Sequence, residues 1–286
     1  MNTTERVQID SPEREAPLFF PPKDRFFAIR GNVSGRQGFL LGLTGLVALF
    51  AVWQIGHWLT PELQRKFLPG VDEVVGKIAF LLANKDFITD IGVSLYRIYL
   101  SFFVACLVSV PLGLFMGCFV KVRALLNPTL GGLRYLPAAS FVPLLLVYLG
   151  PTDTAKMALL FLGCVFFLIA LILDNVLSVP KEFIESAQTM GANRKHIVLR
   201  VALPAAAPQI LDSMRNMIAV SWTYLVIAEI VAATDGIGAV MMRGAKFLHI
   251  DVIMAGILTI GVLGVLTDIL FRYASRFLFP YVYARK

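Results

Sequence analysis

The amino-acid sequence predicts an all-α, polytopic membrane protein of about six transmembrane helices, and three observations predict it. Of 286 residues, 57% are hydrophobic and only 16% are charged, against about 25% charged in soluble domains. The mean hydropathy is +0.74. The apolar residues gather into six runs, each near or above the roughly 20 residues that cross a bilayer as a helix, the form that satisfies every backbone polar group within its own segment.

Residues 1–37 precede these runs. They are polar, contain proline, mix both charges and have no apolar core of a secretory signal, so a cytoplasmic tail is expected. Within them, Phe19-Phe20 and Phe26-Phe27-Ala28-Ile29, with Lys23, Arg25 and Arg30, fit a short interfacial segment as well as a plain polar tail.

The first run, Gly38 to Trp58, ends on Trp53 and Trp58, which suit a headgroup boundary. Thr60, Pro61 and Pro69 mark an extramembrane stretch before the second run, Val93 to Phe119, whose helix is expected to begin outside the bilayer near Ile88. The third, Ala124 to Leu149, holds Pro128, Pro137 and Pro143 and cannot be one straight helix. The fourth, Thr154 to Leu177, follows a Gly150-Pro151-Thr152-Asp153 turn. The fifth is Ala205 to Ala233 and the sixth Val252 to Phe271. A membrane domain over 38–279 is thus bounded by the tail and by a short cytoplasmic segment, 280–286.

The net charge of +7 raises the question of nucleic acid, but the Lys and Arg residues lie scattered between apolar runs rather than in a basic stripe. Topology explains them. With the N-terminus inside, the cytoplasmic segments carry 16 Lys and Arg and the outer segments 7, so both termini are predicted to be cytoplasmic. Cys106, Cys118 and Cys164 lack metal or disulfide spacing and read as small core residues.

The charged internal segment, 180–204, stands out from the apolar chain. Pro180 to Gly191 reads as a short extramembrane helix, with Glu182 and Glu185 toward its N-terminus and Gly191 as its stop. Phe183, Ala187 and Met190, with Ile184, are expected to form an apolar face suited to a groove. Ala192 to Arg200 suits a second helix. On pattern alone, a docking element and a solvated basic loop are both open.

Glu185-Ser186-Ala187, three residues, Gly191, nine residues and Val201-Ala202-Leu203-Pro204 together resemble the EAA loop of permease subunits of ATP-binding cassette importers, with Ser186 and Val201 as departures. Phe67-Leu68-Pro69 with Val71 and Val74, Ser94-Leu95-Tyr96-Arg97, Arg134-Tyr135-Leu136-Pro137 with Pro143, and Gly236-Ile237-Gly238 resemble the branch importing nitrate, taurine, aliphatic sulfonates and bicarbonate. Tyr148 to Asp153 departs from the Trp-Phe-Gly-Ile-Gly common there. The resemblance covers roughly residues 40 to 280.

This resemblance implies a type I importer (MetI-like) permease fold in a bacterial inner membrane. It implies a homodimer with the path between its copies, ATPase subunits beneath, and a periplasmic or lipid-anchored solute-binding protein outside. Glu185, Ala187, Gly191, Leu203 and Pro204 would couple the chain to the ATPase, which would bind ATP and Mg. The cargo would be a small anion.

For the path, Arg134 lies where a proline-broken helix could expose backbone, and its fixed charge suits an anion, although a snorkelling anchor at the cytoplasmic boundary fits it better. Ser140, Ser221 and Thr223 offer hydroxyls on the third and fifth runs, which the resemblance places around the path; such groups also join helices to each other. Arg97 reads as an interfacial or interhelical anchor, Asp212 and Arg215 as a local pair, and Glu229 and Asp268 as structural.

No Lys precedes Ser or Thr, which excludes a GxxxxGK[ST] phosphate loop, and neither HExxH nor GxSxG occurs. An intramembrane enzyme therefore lacks a catalytic constellation. A secondary transporter lacks an evident inverted repeat or acid relay, and it would leave the 180–204 pattern unexplained.

Overall fold

The computed structural model describes residues 33–283. Its contacts divide the chain at Val52/Trp53. The aromatic segments proposed at residues 19–29 lie outside the described residues.

Five helices are long and apolar enough to cross a membrane among the described residues. They are α1 (Gly35–Leu59), α3 (Lys85–Cys118), α6 (Asp153–Leu177), the continuous stretch Arg194–Val231 that contains α9 (Leu203–Val231), and α11 (Ile250–Leu278). The third expected run is broken: α4 (Val120–Leu133) meets a short 3-10 turn, Ala138–Phe141, and α5 (Val142–Leu149) at a bend of 80°. Pro137 lies at the break, and a sixth span exists only when the bent pair is counted as one. The remaining helices are α2 (Val71–Ala83), α7 (Lys181–Thr189), α8 (Arg194–His196), α10 (Ile237–Lys246) and α12 (Pro280–Tyr283).

From Trp53 onward, the end of α1 organises the following loop. Trp53 Nε1 donates to the Pro69 carbonyl (3.0 Å), Gln54 accepts from the Val71 N–H (2.8 Å), and the His57 ring bonds the Leu68 carbonyl (2.7 Å). Glu73 accepts from the Gly70 N–H and closes the N-terminus of α2. A Lys77–Asp251 ion pair at 2.8 Å then ties α2 to the start of α11.

The core is built on α6. It packs against α3 on one side and α9 on the other, with Leu168, Ile172, Ile218 and Met116 fully buried. Lipid offers no hydrophobic drive between helices, so close approach through small residues supplies the packing. Gly113 and Gly117, one turn apart on α3, face Ile172 and Val176 of α6. The sequence carries this GxxxG spacing, but one chain contains many glycines and only the contacts identify the pair that packs.

A methyl at position 113 would stand 2.7 Å from Ile172 and 3.1 Å from the Ile169 carbonyl. Gly113→Ala is therefore expected to lower stability by about 1–3 kcal/mol, read as a fall in Tm in detergent. Gly132→Ala, where nothing lies within 4 Å, is the matched control and should leave Tm close to wild type.

Candidate functional site

Two chemically distinct regions stand at opposite ends of α6. At its C-terminal end, Pro180 leads into α7, whose last turn closes through Gly191 at φ +78°. The Gly191 N–H donates to Gln188 O (2.9 Å) and the Ala192 N–H to Ala187 O (3.0 Å). This termination requires a left-handed residue, and glycine adopts that conformation without strain.

The expected apolar face of α7 is only partly covered by this chain. Ala187 is buried and Ile184 half-buried, while Phe183 is 53% and Met190 80% exposed. The four residues span an arc, and the chain covers only the edge holding Ala187 and Ile184, against the Ile197–Ala202 segment. Phe183 and Met190, separated by two turns, remain outside, as does Glu185.

The second helix expected at Ala192 to Arg200 is also different. Asn193 caps α8 by accepting the His196 N–H (2.8 Å), and a π-helical stretch, Ile197–Ala202, then runs into α9 without a break. Leu203 is half-buried and Pro204 exposed in the first turn of α9. Pro204 has no N–H and its ring crowds the carbonyl four residues back, so a widened turn accommodates it where a normal helix would kink. The docking loop and α9 are consequently one mechanical piece.

At the N-terminal end of α6 is a buried ionic cluster. Arg97 of α3 is 0% exposed. Its guanidinium donates to Glu229 of α9 (3.0 Å) and to the Asp235 carbonyl (3.1 Å), and pairs with the carboxylates of Asp153 and Asp235. Lys156 adds bonds to Asp235 (3.0 Å) and Thr234 (2.8 Å). Arg97 lies about 32 Å from the end of α3, and Lys156 about 32 Å from the end of α6, at 1.5 Å per residue. Each is one hydrocarbon thickness from the far end of its helix.

The first turn of α10 completes the cluster. The Gly236 N–H donates to Asp90 (2.7 Å), Ile237 N–H to Ser94 Oγ (3.0 Å), and Gly238 N–H to Glu229 (2.8 Å). These are orphan donors of a helix N-terminus, where carboxylates are favoured. Ser94 in turn donates to Glu229 (2.7 Å), and Arg243 pairs with Asp90 (3.2 Å). Gly236 is required twice, by φ +95° and because a side chain there would strike the Glu229 carboxylate.

The sequence reading of Arg97 as an interfacial or interhelical anchor and of Glu229 as structural names members of this cluster but not that they meet. Their separation of 132 residues leaves no local signal. Asp235, in the loop, carries burial that pushes its carboxyl up, but hydrogen bonds from Arg97, Thr234 and Lys156 outweigh it and hold the group well below the usual carboxylate range.

The residues expected on the path separate into two groups. Ser221 is buried, bonded to Cys164 (2.8 Å) and the Met217 carbonyl (3.0 Å), and so joins α6 to α9. Arg134, Ser140 and Thr223 remain at the surface of the chain. Arg134 caps the end of α4 with its guanidinium over the Tyr135 ring, 5.1 Å from the centroid. Arg215 lies between Asp212 (3.5 Å) and Asp268 (3.3 Å), which also pairs with Arg272 (2.7 Å). Among the described residues no His, Cys, Asp and Glu cluster could hold a metal ion.

Two outcomes follow from this geometry. Arg97→Met strands Glu229 without a counter-charge and is expected to cost about 3–5 kcal/mol, whereas Arg97→Met with Glu229→Leu should recover part of the loss in a double-mutant thermal-unfolding cycle. Because the Asp235 carboxyl is lowered, its stabilisation is complete above its ordinary value near pH 4 and is lost as pH falls further. The Tm gap between wild type and Asp235→Asn should therefore be constant from pH 5 to 8 and close below pH 4.

Residues 109–279 match the model of a family described as binding-protein-dependent transport system inner membrane component. The chain is 33% identical over 250 residues to the taurine transport system permease protein TauC of Escherichia coli (strain K12), covering 84% of this chain and 89% of the relative. It is 25% identical over 257 residues to the bicarbonate transport system permease protein CmpB of Synechococcus elongatus, covering 85% and 90%. A chain of a bacterial alginate ABC transporter, solved in complex with an alginate pentasaccharide-bound periplasmic protein, shares the fold at TM-score 0.57 and 18% identity, covering 85% of this chain and 96% of that one. By the matched family model and by its likeness to the taurine permease, the chain belongs to the inner-membrane components of binding-protein-dependent transport systems.

Proposed function

We propose that two copies of this chain form the passage of an ATP-driven importer for a small anion of the taurine, sulfonate, nitrate or bicarbonate type, delivered by an external solute-binding protein. The names of the taurine and bicarbonate relatives support the cargo class. ATP and Mg are bound by separate cytoplasmic ATPase subunits, consistent with a sequence that has no phosphate loop. Both termini face the cytoplasm, an orientation supported by the excess of Lys and Arg that it places on that side.

The observation that carries the reading is α7: an amphipathic helix beyond the end of α6 that leaves Phe183 and Met190 uncovered two turns apart. An apolar pair of this kind on an exposed helix suits a groove in a partner. Glu185, Ala187 and Gly191 hold α7 as the docking element, and Leu203 and Pro204 connect it to α9. When ATP draws the two motor subunits together, α7 moves with them, and the unbroken π-helical link passes the motion into α9. Alternating access follows, and this chain contributes no bond-making chemistry.

The test is transport in proteoliposomes containing the permease, its ATPase and its binding protein. Phe183→Ser with Met190→Ser, and separately Glu185→Lys with Gly191→Pro, are expected to abolish ATPase-coupled uptake while insertion and Tm change little in the serine pair. Uptake at the wild-type rate in both would sink the docking role. Uptake driven by an ion gradient without any ATPase subunit would favour a secondary carrier.

A further inference from the structure

The long helix α9 has a face that its own chain does not cover. At 100° per residue, Gln209, Asp212, Asn216, Ala219 and Thr223 fall within an arc of roughly 80°, and all are exposed. Ile210, Met217, Ser221 and Leu225, on the other side, are buried. A face turned to hydrocarbon would be apolar, yet four of these five positions carry a polar side chain, which is costly in lipid.

Three of the four have partners. Gln209 accepts from Ser178 Oγ (2.6 Å), Asp212 pairs with Arg215 (3.5 Å), and Thr223 Oγ1 returns to the Val220 carbonyl (2.6 Å). The Asn216 amide has no hydrogen bond among the described residues. It stands near the middle of α9, about 20 Å from either end at 1.5 Å per residue, the depth at which an unsatisfied amide is least tolerable.

The break between α4 and α5 is another irregular stretch of backbone in a membrane run among the described residues. Ala138, in the break between α4 and α5, packs with Ala228 toward the end of α9, and Ser140 beside it is exposed. Non-helical backbone at membrane depth is tolerated where it is covered by protein or lines water. Ala228 lies about 140° round α9 from the centre of the polar face, so the break packs on the buried side of α9 and leaves the polar face uncovered.

We propose that Asn216 is a specificity-determining residue at the midpoint of the path, where its amide N–H groups bond the oxygens of the passing anion; this rests on the reading of the chain as an anion importer. A neutral donor suits that place. A fixed cation at mid-membrane would hold an anion, whereas transit needs binding strong enough to enter and weak enough to leave. Arg134, the half-buried cation expected on the path, lies at the break and over Tyr135 rather than on this face.

The experiment has two arms in the assembled transporter. In the first, Asn216→Cys is treated with a negatively charged, membrane-impermeant methanethiosulfonate, with the wild-type chain and its Cys106, Cys118 and Cys164 as the blank. Labelling above the blank, slowed by excess transported anion, is the expected result; no labelling overturns the inference. In the second, Asn216→Leu is expected to raise the KM for the anion about tenfold, as for a lost hydrogen bond to a charged group, while Asn216→Ser, which keeps a donor, stays near wild type. Normal wild-type transport with an unaltered KM in Asn216→Leu overturns the role of Asn216 alone, whereas wild-type vesicles that transport no anion of this class would sink the cargo reading itself.

Discussion

Arg97 is fully buried within the chain, and one end of the helix bundle is arranged around that constraint. A buried guanidinium is tolerable only when paired and fully hydrogen-bonded. Glu229, Asp153 and Asp235 supply the pairing, and they come from α9, from the start of α6 and from the loop before α10. Satisfying one side chain therefore fixes three further elements. Glu229 also receives the Gly238 N–H of α10, so one carboxylate answers two demands that would each be costly alone.

The opposite end of the bundle is built differently. There Ala187 is laid against the Ile197–Ala202 segment, Phe183 and Met190 are left uncovered, and the ion pairs of Asp268 with Arg215 and Arg272 are partly exposed. Stiffness at one end and an unfinished surface at the other suit a lever. At this same end lies the glycine contact between the last turns of α3 and α6, where Gly113 and Gly117 allow the helices to approach until Ile172 and Val176 fill the gap. Where membrane helices lack a hydrophobic drive, such shape fit carries the association.

The intervening length of α9 shows how exposure acquires meaning in a membrane chain. An exposed leucine on such a helix needs no explanation, since lipid is its solvent. An exposed asparagine does. The period that places Gln209, Asp212, Asn216 and Thr223 on one side was present in the sequence, but Ser221 has the same polar character and lies only two residues from Thr223. Burial separates them: Ser221 bonds Cys164 within the core, while Thr223 faces out.

Composition and hydropathy by themselves determined that the chain is helical and spans a membrane, because a backbone in hydrocarbon has few other ways to satisfy its polar groups. Spacing from Glu185 through Gly191 to Pro204 marked the loop, since a helix stop and a helix start are local chemistry. Proline positions likewise predicted a broken third run. Tertiary structure alone decided which edge of α7 is covered, that Ile197–Ala202 joins the loop to α9 as one helix, and that Arg97, Glu229, Asp153 and Asp235 converge. The convergence of the charged residues depends on contacts between segments tens to more than a hundred residues apart. Local patterns in the sequence carry no record of such distances, whereas the folded chain must satisfy every buried charge at once.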